Sequence, residues 1–360
     1  MFDGQVLLTG YPGFIGRRLA DRLAEAGARV TALVEPRMAA AAREASGGRV
    51  EVLEGDIAKR RLGLADADWE RLTAEVRHVF HLAAVYDLGV PLELAQRVNV
   101  DGTGTVLELC RASERLERLN YVSTAYVAGV RRGVVYEHEL TLGQDFKNHY
   151  ESTKFQAEVW VRQELDRVPT TIYRPAIVVG DSRTGETQKF DGPYFMLRVI
   201  SQCERRGLPI SQFGRSNAPF NVVPVDFVLD AMLAGAREPA ALGQTFHLVD
   251  PEPVTAVELL RILSEAYAGR APSYRLPPQL VANALRVPAV RAMFGGAPPE
   301  SIRYLNHPVR FDARRAADVL GGDAGLRVPR FAEYAPALVR FFRKHEDDPA
   351  YSVRIVSSWE

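Results

Sequence analysis

Tyr150 and Lys154 are the two residues whose types and spacing suggest proton chemistry. They lie four residues apart, and on a helix that spacing puts both side chains on one face. A free phenol has a pKa near ~10, and a nearby ammonium stabilises the phenolate and lowers that pKa. We therefore expect Tyr150 to give a proton to a carbonyl oxygen as a hydride reaches the carbon, with Lys154 as its partner. The alternative is a surface cation beside an aromatic ring.

Two hydroxyl residues, Ser123 and Thr124, stand at the end of the predicted strand Leu119 to Ser123. The helix that contains Tyr150 follows this strand, so we expect the hydroxyls to point into the same cleft. Either one would hold the carbonyl oxygen by a hydrogen bond. Lys154 would also reach the ribose of a cofactor.

A glycine-rich segment between a predicted strand and a predicted helix indicates a dinucleotide site. Gly10 permits the tight turn, Gly13 lets the backbone approach a pyrophosphate, and Gly16 allows close packing of helix on strand. The helix N-terminus then faces negative charge. An ordinary glycine-rich turn is the alternative. The other predicted cofactor contacts in this segment are Pro12, Phe14 and Ile15.

The ends of the next strands should border the same ligand, because ligands of open α/β sheets lie across the carboxyl ends of the strands. Asp56 and Ile57 end the third strand, and Ala83 and Ala84 end the fourth. Asp56 would either bond an adenine amino group or cap the next segment. His81 is interpreted as a core residue.

Glu35 follows the second strand, where an acidic side chain accepts a hydrogen bond from a ribose 2′-hydroxyl and repels a 2′-phosphate. By itself, Glu35 favours NADH. Arg17 and Arg37 lie close in sequence and would offset the repulsion, which leaves use of both cofactors open.

The elements that must position these residues alternate between short β-branched runs and amphipathic stretches. This pattern predicts an α/β protein with a Rossmann-type, doubly wound parallel sheet and a smaller C-terminal substrate lobe. The predicted strands are Gln5 to Thr9, Arg29 to Val34, Val50 to Glu54, His78 to Ala83, Leu119 to Ser123 and Thr170 to Tyr173. The predicted domains are a dinucleotide-binding domain over 1–180 rejoined by 220–250, a substrate lobe over 181–219 and 251–345, and a tail over 346–360.

Composition excludes several classes of protein. The 360 residues are 47% apolar, with 45 basic and 45 acidic side chains, so no nucleic-acid partner is expected. Cys110 and Cys203 match neither a disulfide framework nor a metal site, and a reducing cytoplasm is expected. No apolar run reaches the length of a membrane span, while peripheral membrane contact and homo-oligomers stay open.

Several motifs together resemble the extended short-chain dehydrogenases/reductases, and more narrowly their male-sterility and thioester-reductase branch. They are the three glycines, the Tyr150/Lys154 pair, 99–103 (NVDGT), 123–127 (STAYV), 173–175 (YRP) and 180–185 (GDSRTG). The nearest likeness is to the N-terminal reductase half of bacterial alcohol-forming fatty acyl-CoA reductases. Those enzymes continue into a second reductase, so at most one of the two reductions is expected here.

The resemblance implies roles for residues that match its motifs. Tyr150 would be the general acid, Lys154 its partner, and Thr124 the hydroxyl that holds the carbonyl, with Ser123 beside it. Asn99 would join the catalytic set. The nicotinamide would lie against Pro175, Ala176 and Ile177. The family also implies NADPH, although Glu35 stands where a basic residue often holds its phosphate.

The expected substrate is small and lipid-like, a medium- or long-chain fatty aldehyde that is reduced to the alcohol. Reduction of an acyl thioester is the runner-up. The apolar segment Gln279 to Phe294 is either a lid or interfacial helix for a lipid chain or a helix packed on the lobe, and Pro288 favours two short pieces.

Two other functions compete with these reductions. A sugar-nucleotide epimerase or dehydratase shares the Tyr/Lys pair but usually has an Arg-aromatic-Asn segment where Arg174, Pro175 and Ala176 stand. A non-catalytic nucleotide-binding protein would have no need of the pair.

Overall fold

A computed structural model describes residue 2 and residues 4–86, 89–212, 218–284, 286–289, 304–305, 307–321 and 325–351. Within these residues, no helix combines the length and apolar character that crossing a membrane requires.

The centre of the fold is a seven-stranded parallel sheet with the order β11-β7-β5-β4-β1-β2-β3. Its strands are β1 Gln5–Thr9, β2 Arg29–Val34, β3 Glu51–Glu54, β4 Val76–His81, β5 Arg118–Val122, β7 Thr170–Pro175 and β11 Thr245–Leu248. β1, β5 and β7 are buried along their whole length. This burial is what a parallel sheet covered on both faces requires, since each strand then faces apolar side chains on either side.

Three pairs of short parallel strands lie outside the central sheet. They are β6 Gly133–Val135 with β13 Val309–Phe311, β8 Ile177–Val179 with β10 Val222–Pro224, and β9 Ser211–Gln212 with β12 Tyr274–Arg275.

Twelve helices of the described chain connect and cover these strands. They are α1 Phe14–Glu25, α2 Ala39–Ser46, α3 Asp66–Glu75, α4 Leu92–Ala95, α5 Gly102–Ala112, α6 His149–Gln163, α7 Tyr194–Arg205, α8 Val225–Arg237, α9 Ala256–Ala268, α10 Pro278–Ala284, α11 Arg314–Leu320 and α12 Phe331–His345. α7, α9 and α12 pack around a second apolar cluster, separate from those of the main sheet.

The predicted Rossmann-type α/β class is confirmed, and the sheet order reverses direction between β1 and β4. A crevice at such a reversal is where open α/β sheets bind ligands. The strand boundaries differ from prediction by at most two residues, as at β4, which ends at His81 rather than Ala83. The assignment of residues 181–219 and 251–345 to a substrate lobe stays a prediction. Of the segment Gln279 to Phe294, residues 285 and 290–294 lie outside the described residues.

Candidate active site

The turn between β1 and α1 has no room for side chains. Gly10 has a φ of +88°, and a Cβ there would lie 2.9 Å from the backbone of Leu82 and Ala83. A Cβ on Gly13 or Gly16 would approach the Gly10 carbonyl oxygen to 2.8 or 2.5 Å. Only glycines allow this turn, and it exposes Gly13 at the N-terminus of α1. Pro12, Phe14 and Ile15 are partly exposed around it.

The other predicted cofactor residues lie after neighbouring strands of the same edge. Glu35 accepts a 2.6 Å hydrogen bond from Arg37 Nε, and both side chains are exposed. Asp56 accepts a hydrogen bond from the backbone N–H of Ala58 at 2.9 Å. The structure therefore shows the capping contact that was one of the two predictions for Asp56.

The three remaining predicted cofactor residues follow β3 and β4. Ile57 is buried against Gly102. The N–H of Ala83 donates to the Thr9 hydroxyl at 3.2 Å, and Ala84 is partly exposed beside it. A glycine turn below a helix N-terminus, bordered by these strand ends, fits a dinucleotide such as NAD(P)H.

Tyr150 and Thr124 meet at the cleft. Asn148 caps α6 by accepting the Glu151 N–H at 2.9 Å, which places Tyr150 in the first turn. The Thr124 hydroxyl lies beside the Tyr150 phenol and favours its charged form. Burial raises the pKa of the Tyr150 phenol, and the Thr124 hydroxyl opposes that rise only in part. Tyr150 is therefore a protonated phenol at neutral pH.

Lys154 is buried one turn after Tyr150. Its Nζ donates to the Val122 carbonyl oxygen at 2.8 Å and to the Tyr121 hydroxyl at 3.1 Å. Burial lowers the pKa of Lys154 to about 7, against the opposing effect of Glu158. Among the described residues, its hydrogen bonds thus run to β5 rather than to Tyr150.

Ser123 has a different environment from Thr124. Its hydroxyl donates to Glu158 Oε2 at 2.6 Å, below the cleft. Arg174 binds the same carboxylate, with Nη2 at 2.6 Å from Oε1 and Nε at 3.0 Å from Oε2. Burial alone would raise the pKa of Glu158, but Arg174, Arg162 and Ser123 bring it down to about 2.

Asn99 lies in a π-helical turn over Gln96–Asp101. Its side chain accepts the Val85 N–H at 2.8 Å and donates to the Thr153 hydroxyl at 3.0 Å. These contacts join the segment after β4 to α6, so Asn99 braces the wall of the site.

The segment after β7 passes directly beside Thr124. The Thr124 hydroxyl lies 3.5 Å from the Pro175 carbonyl oxygen. Ala176 donates its N–H to the Leu248 oxygen at 3.1 Å, and Ile177 is partly exposed. Pro175, Ala176 and Ile177 therefore lie on the same side of the sheet as Thr124 and Tyr150.

Sequence reasoning missed three site residues. Tyr121 bonds Lys154 from the buried strand, Glu158 bonds Ser123, and the half-exposed ring of Tyr86 lies edge-on at 4.9 Å from that of Tyr150. Glu158 stands four residues after Lys154, so the helical spacing that paired Tyr150 with Lys154 would also have found Glu158. Tyr86 follows β4 with no comparable signal.

Comparison with known protein families gives a match over more than half of the chain. The family model described as male sterility protein matches residues 8–232. The non-canonical nonribosomal peptide synthetase FrzA of a Cladobotryum species is 28% identical over 71% of this chain and 27% of its own length. The fatty acyl-CoA reductase wat of Drosophila melanogaster is 26% identical over 65% of this chain and 54% of its own.

A solved structure covers more of the chain. The terminal R domain from the myxalamid PKS-NRPS biosynthetic pathway superposes with a TM-score of 0.81 and is 27% identical. That alignment covers 96% of this chain and 92% of the R domain. By contrast, this chain spans about a quarter of the length of the first curated relatives it matches.

Proposed function

The chain belongs to the male sterility protein family, and from that premise we propose that it is an NAD(P)H-dependent reductase of the carbonyl carbon of an acyl compound. The observation that carries this proposal is the position of the Thr124 hydroxyl beside the Tyr150 phenol. It puts a protonated phenol and a second hydroxyl at one point of the cleft, and a carbonyl oxygen bound there would take both hydrogen bonds.

The chain's own residues supply the proton. A bound nicotinamide would supply the hydride. Tyr150 gives its phenolic proton to the carbonyl oxygen, and Thr124 holds that oxygen as negative charge develops on it. Lys154 stabilises the phenolate that is left, because an ammonium nearby favours the charged form of a phenol.

The proposed substrate is a medium- or long-chain fatty aldehyde, reduced to the alcohol. One hydride and one proton convert the C=O group to CH–OH, which is all that the Tyr150 site and one cofactor molecule provide. Tyr86 supports a lipid-like substrate, because its half-exposed ring beside Tyr150 gives an alkyl chain an apolar surface to contact.

The names of the relatives favour a second candidate, an acyl thioester. The hydride and the Tyr150 proton would first give a hemithioacetal, whose carbon bears a hydroxyl group and the sulfur of the carrier. Cleavage of the C–S bond would then release the aldehyde, and the hydroxyl proton would leave with the thiol. A fatty acyl-CoA reductase and a synthetase R domain are among the proteins most similar to this chain.

One assay tests both candidates. Purified protein is offered decanal, decanoyl-CoA and 2-decanone under identical conditions while oxidation of NADH and of NADPH is followed. We expect decanal to be consumed. Consumption of decanoyl-CoA without decanal would replace the first candidate with the second. Turnover of neither, with the folded protein still binding cofactor, would contradict the proposal.

A further inference from the structure

Two consecutive residues of β5 hold the Lys154 ammonium. Besides the bonds to the Tyr121 hydroxyl and the Val122 oxygen, Lys154 Nζ lies 4.5 Å from the centroid of the Tyr121 ring. An ammonium has three N–H bonds. Within the described part of the chain two of them are used by β5, which leaves the third for the cleft.

Tyr121 is itself anchored. It is fully buried, its ring centroid lies 5.8 Å from that of His81, and the Thr103 side chain lies beside its hydroxyl. The single proton of the Thr103 hydroxyl goes to the Asn99 carbonyl oxygen at 2.7 Å. Thr103 therefore has no proton to give to Tyr121, whose oxygen accepts from Lys154.

The same count of donors and acceptors shows which ring nitrogen of His81 has the proton. The Thr9 hydroxyl oxygen accepts the N–H groups of Leu82 and Ala83, both at 3.2 Å, so its proton points to His81 Nδ1 at 2.7 Å. His81 Nε2 then has the ring proton and donates to Thr103 Oγ1 at 3.1 Å. The Thr9 and Thr103 hydroxyls thus each have one direction, and neither gives its proton to the Tyr121 oxygen.

We propose that Tyr121 is a positioning residue for Lys154: its hydroxyl and its ring hold the ammonium so that the remaining N–H faces the cofactor and Tyr150. This proposal rests on the role of Lys154 in the proposed reduction. The substitution Tyr121→Phe keeps the ring and removes only the hydroxyl, so it isolates the hydrogen bond.

The titratable groups around Lys154 differ in whether they favour its charged form. Glu158 on α6 favours the ammonium, and burial disfavours it. His81 on β4 is neutral, because burial and then the charge of Lys154 lower its pKa to about 3. Tyr150 and Tyr121 are neutral phenols whose pKa values are raised by burial. Among the described residues, the Tyr121 oxygen and Glu158 are therefore the side-chain groups that favour the charged form of Lys154.

The experiment measures Lys154 directly, without a substrate. The chain has five lysines, so protein labelled with ¹³C and ¹⁵N lysine gives few side-chain NMR signals, and Lys154→Met identifies the one from Lys154. Loss of a hydrogen bond to a charged group shifts the pKa of that group by about one unit or more. We expect Tyr121→Phe to lower the midpoint of the Lys154 titration by about one unit.

Tyr173→Phe is the matched control. Tyr173 is fully buried on the adjacent strand β7, and its hydroxyl bonds Asn120 Oδ1 at 3.0 Å and the Met232 oxygen at 3.3 Å, away from Lys154. It should leave the Lys154 midpoint unchanged. An unchanged midpoint in Tyr121→Phe, or an equal shift in Tyr173→Phe, would overturn the proposal.

A kinetic arm separates this inference from the proposed function. With the substrate found in the carbonyl assay, the alkaline limb of the kcat/KM profile should move to lower pH in Tyr121→Phe together with the NMR midpoint. An NMR shift with an unmoved limb would mean that Tyr121 does not act through Lys154 in the reaction. If no carbonyl compound is turned over, the proposed function fails, while the NMR titration still decides whether Tyr121 holds Lys154.

Discussion

Ser123 and Glu158 are joined by a buried 2.6 Å hydrogen bond that runs from the serine hydroxyl to a carboxylate already bound by Arg174. Ser123 therefore has its proton directed below the cleft, although its neighbour Thr124 contacts Tyr150. Two adjacent hydroxyls that look equivalent in the sequence have separate tasks: one stabilises a buried charge, and the other faces the cleft.

This difference predicts that one conservative substitution lowers mainly activity and the other mainly stability. Thr124→Val should lower kcat about 100-fold, the usual loss when one donor to a developing oxyanion is removed. Ser123→Ala should lower the free energy of unfolding by about 1–3 kcal/mol, because Glu158 loses a buried partner, with a smaller loss of kcat. Steady-state kinetics and urea unfolding of both variants measure this. Equal kcat losses would show that both hydroxyls face the substrate.

Glu158 is expected to be essential for stability. Its removal in Glu158→Ala leaves Arg174, which is fully buried, without its charge partner. Breaking one side of a buried ion pair costs about 3–5 kcal/mol, and urea unfolding should show a loss of that size. The control is Glu265→Ala, which breaks the exposed pair with Arg261 and should cost about 0.5 kcal/mol or less.

The Glu158 carboxylate also predicts how the free energy of unfolding depends on pH. The pKa of Glu158 in the folded protein is about 2, below the ordinary value of about 4.3 in an unfolded chain. Its stabilising effect is therefore complete above about 4.3 and is lost as the pH falls towards 2. The difference in unfolding free energy between the wild type and Glu158→Gln should narrow across that range. A difference that stays constant in acid would contradict the assignment.

The sheet could be predicted because its strands are short apolar runs separated by helices, and a parallel sheet needs that pattern. The central strands were located to within two residues, and the glycine turn was placed correctly after β1. The partners of Lys154 could not be predicted. They depend on which residues of β5 face α6, and that register comes from the packing of the sheet rather than from local sequence. Nor could sequence separate Ser123 from Thr124, because Arg174, which holds Glu158, lies 51 residues after Ser123.

Tyr150→Phe should lower kcat by ~100-fold or more while cofactor affinity changes little, because the phenol acts on the carbonyl oxygen. Lys154→Ala should lower both kcat and cofactor affinity, since the ammonium lies at the site and has an N–H left for the cofactor. Cofactor binding followed by fluorescence, beside steady-state kinetics, separates the two effects. A loss near tenfold or less for Tyr150→Phe would remove it from the acid role.

The cofactor preference depends on the exposed pair Glu35 and Arg37 at the end of β2. The carboxylate would accept a hydrogen bond from a ribose 2′-hydroxyl and repel a 2′-phosphate, and its bond to Arg37 holds the guanidinium beside it. We expect a slight preference for NADH in kcat/KM, with NADPH also used. Glu35→Ala should move the ratio about tenfold towards NADPH, because it removes the repulsion and releases Arg37 to meet the phosphate. Glu117→Ala breaks a similarly exposed pair with Arg77, near the amino ends of β4 and β5, and should leave the ratio unchanged. A strong NADPH preference in the wild type would show that Arg37 or Arg17 dominates at this position despite Glu35.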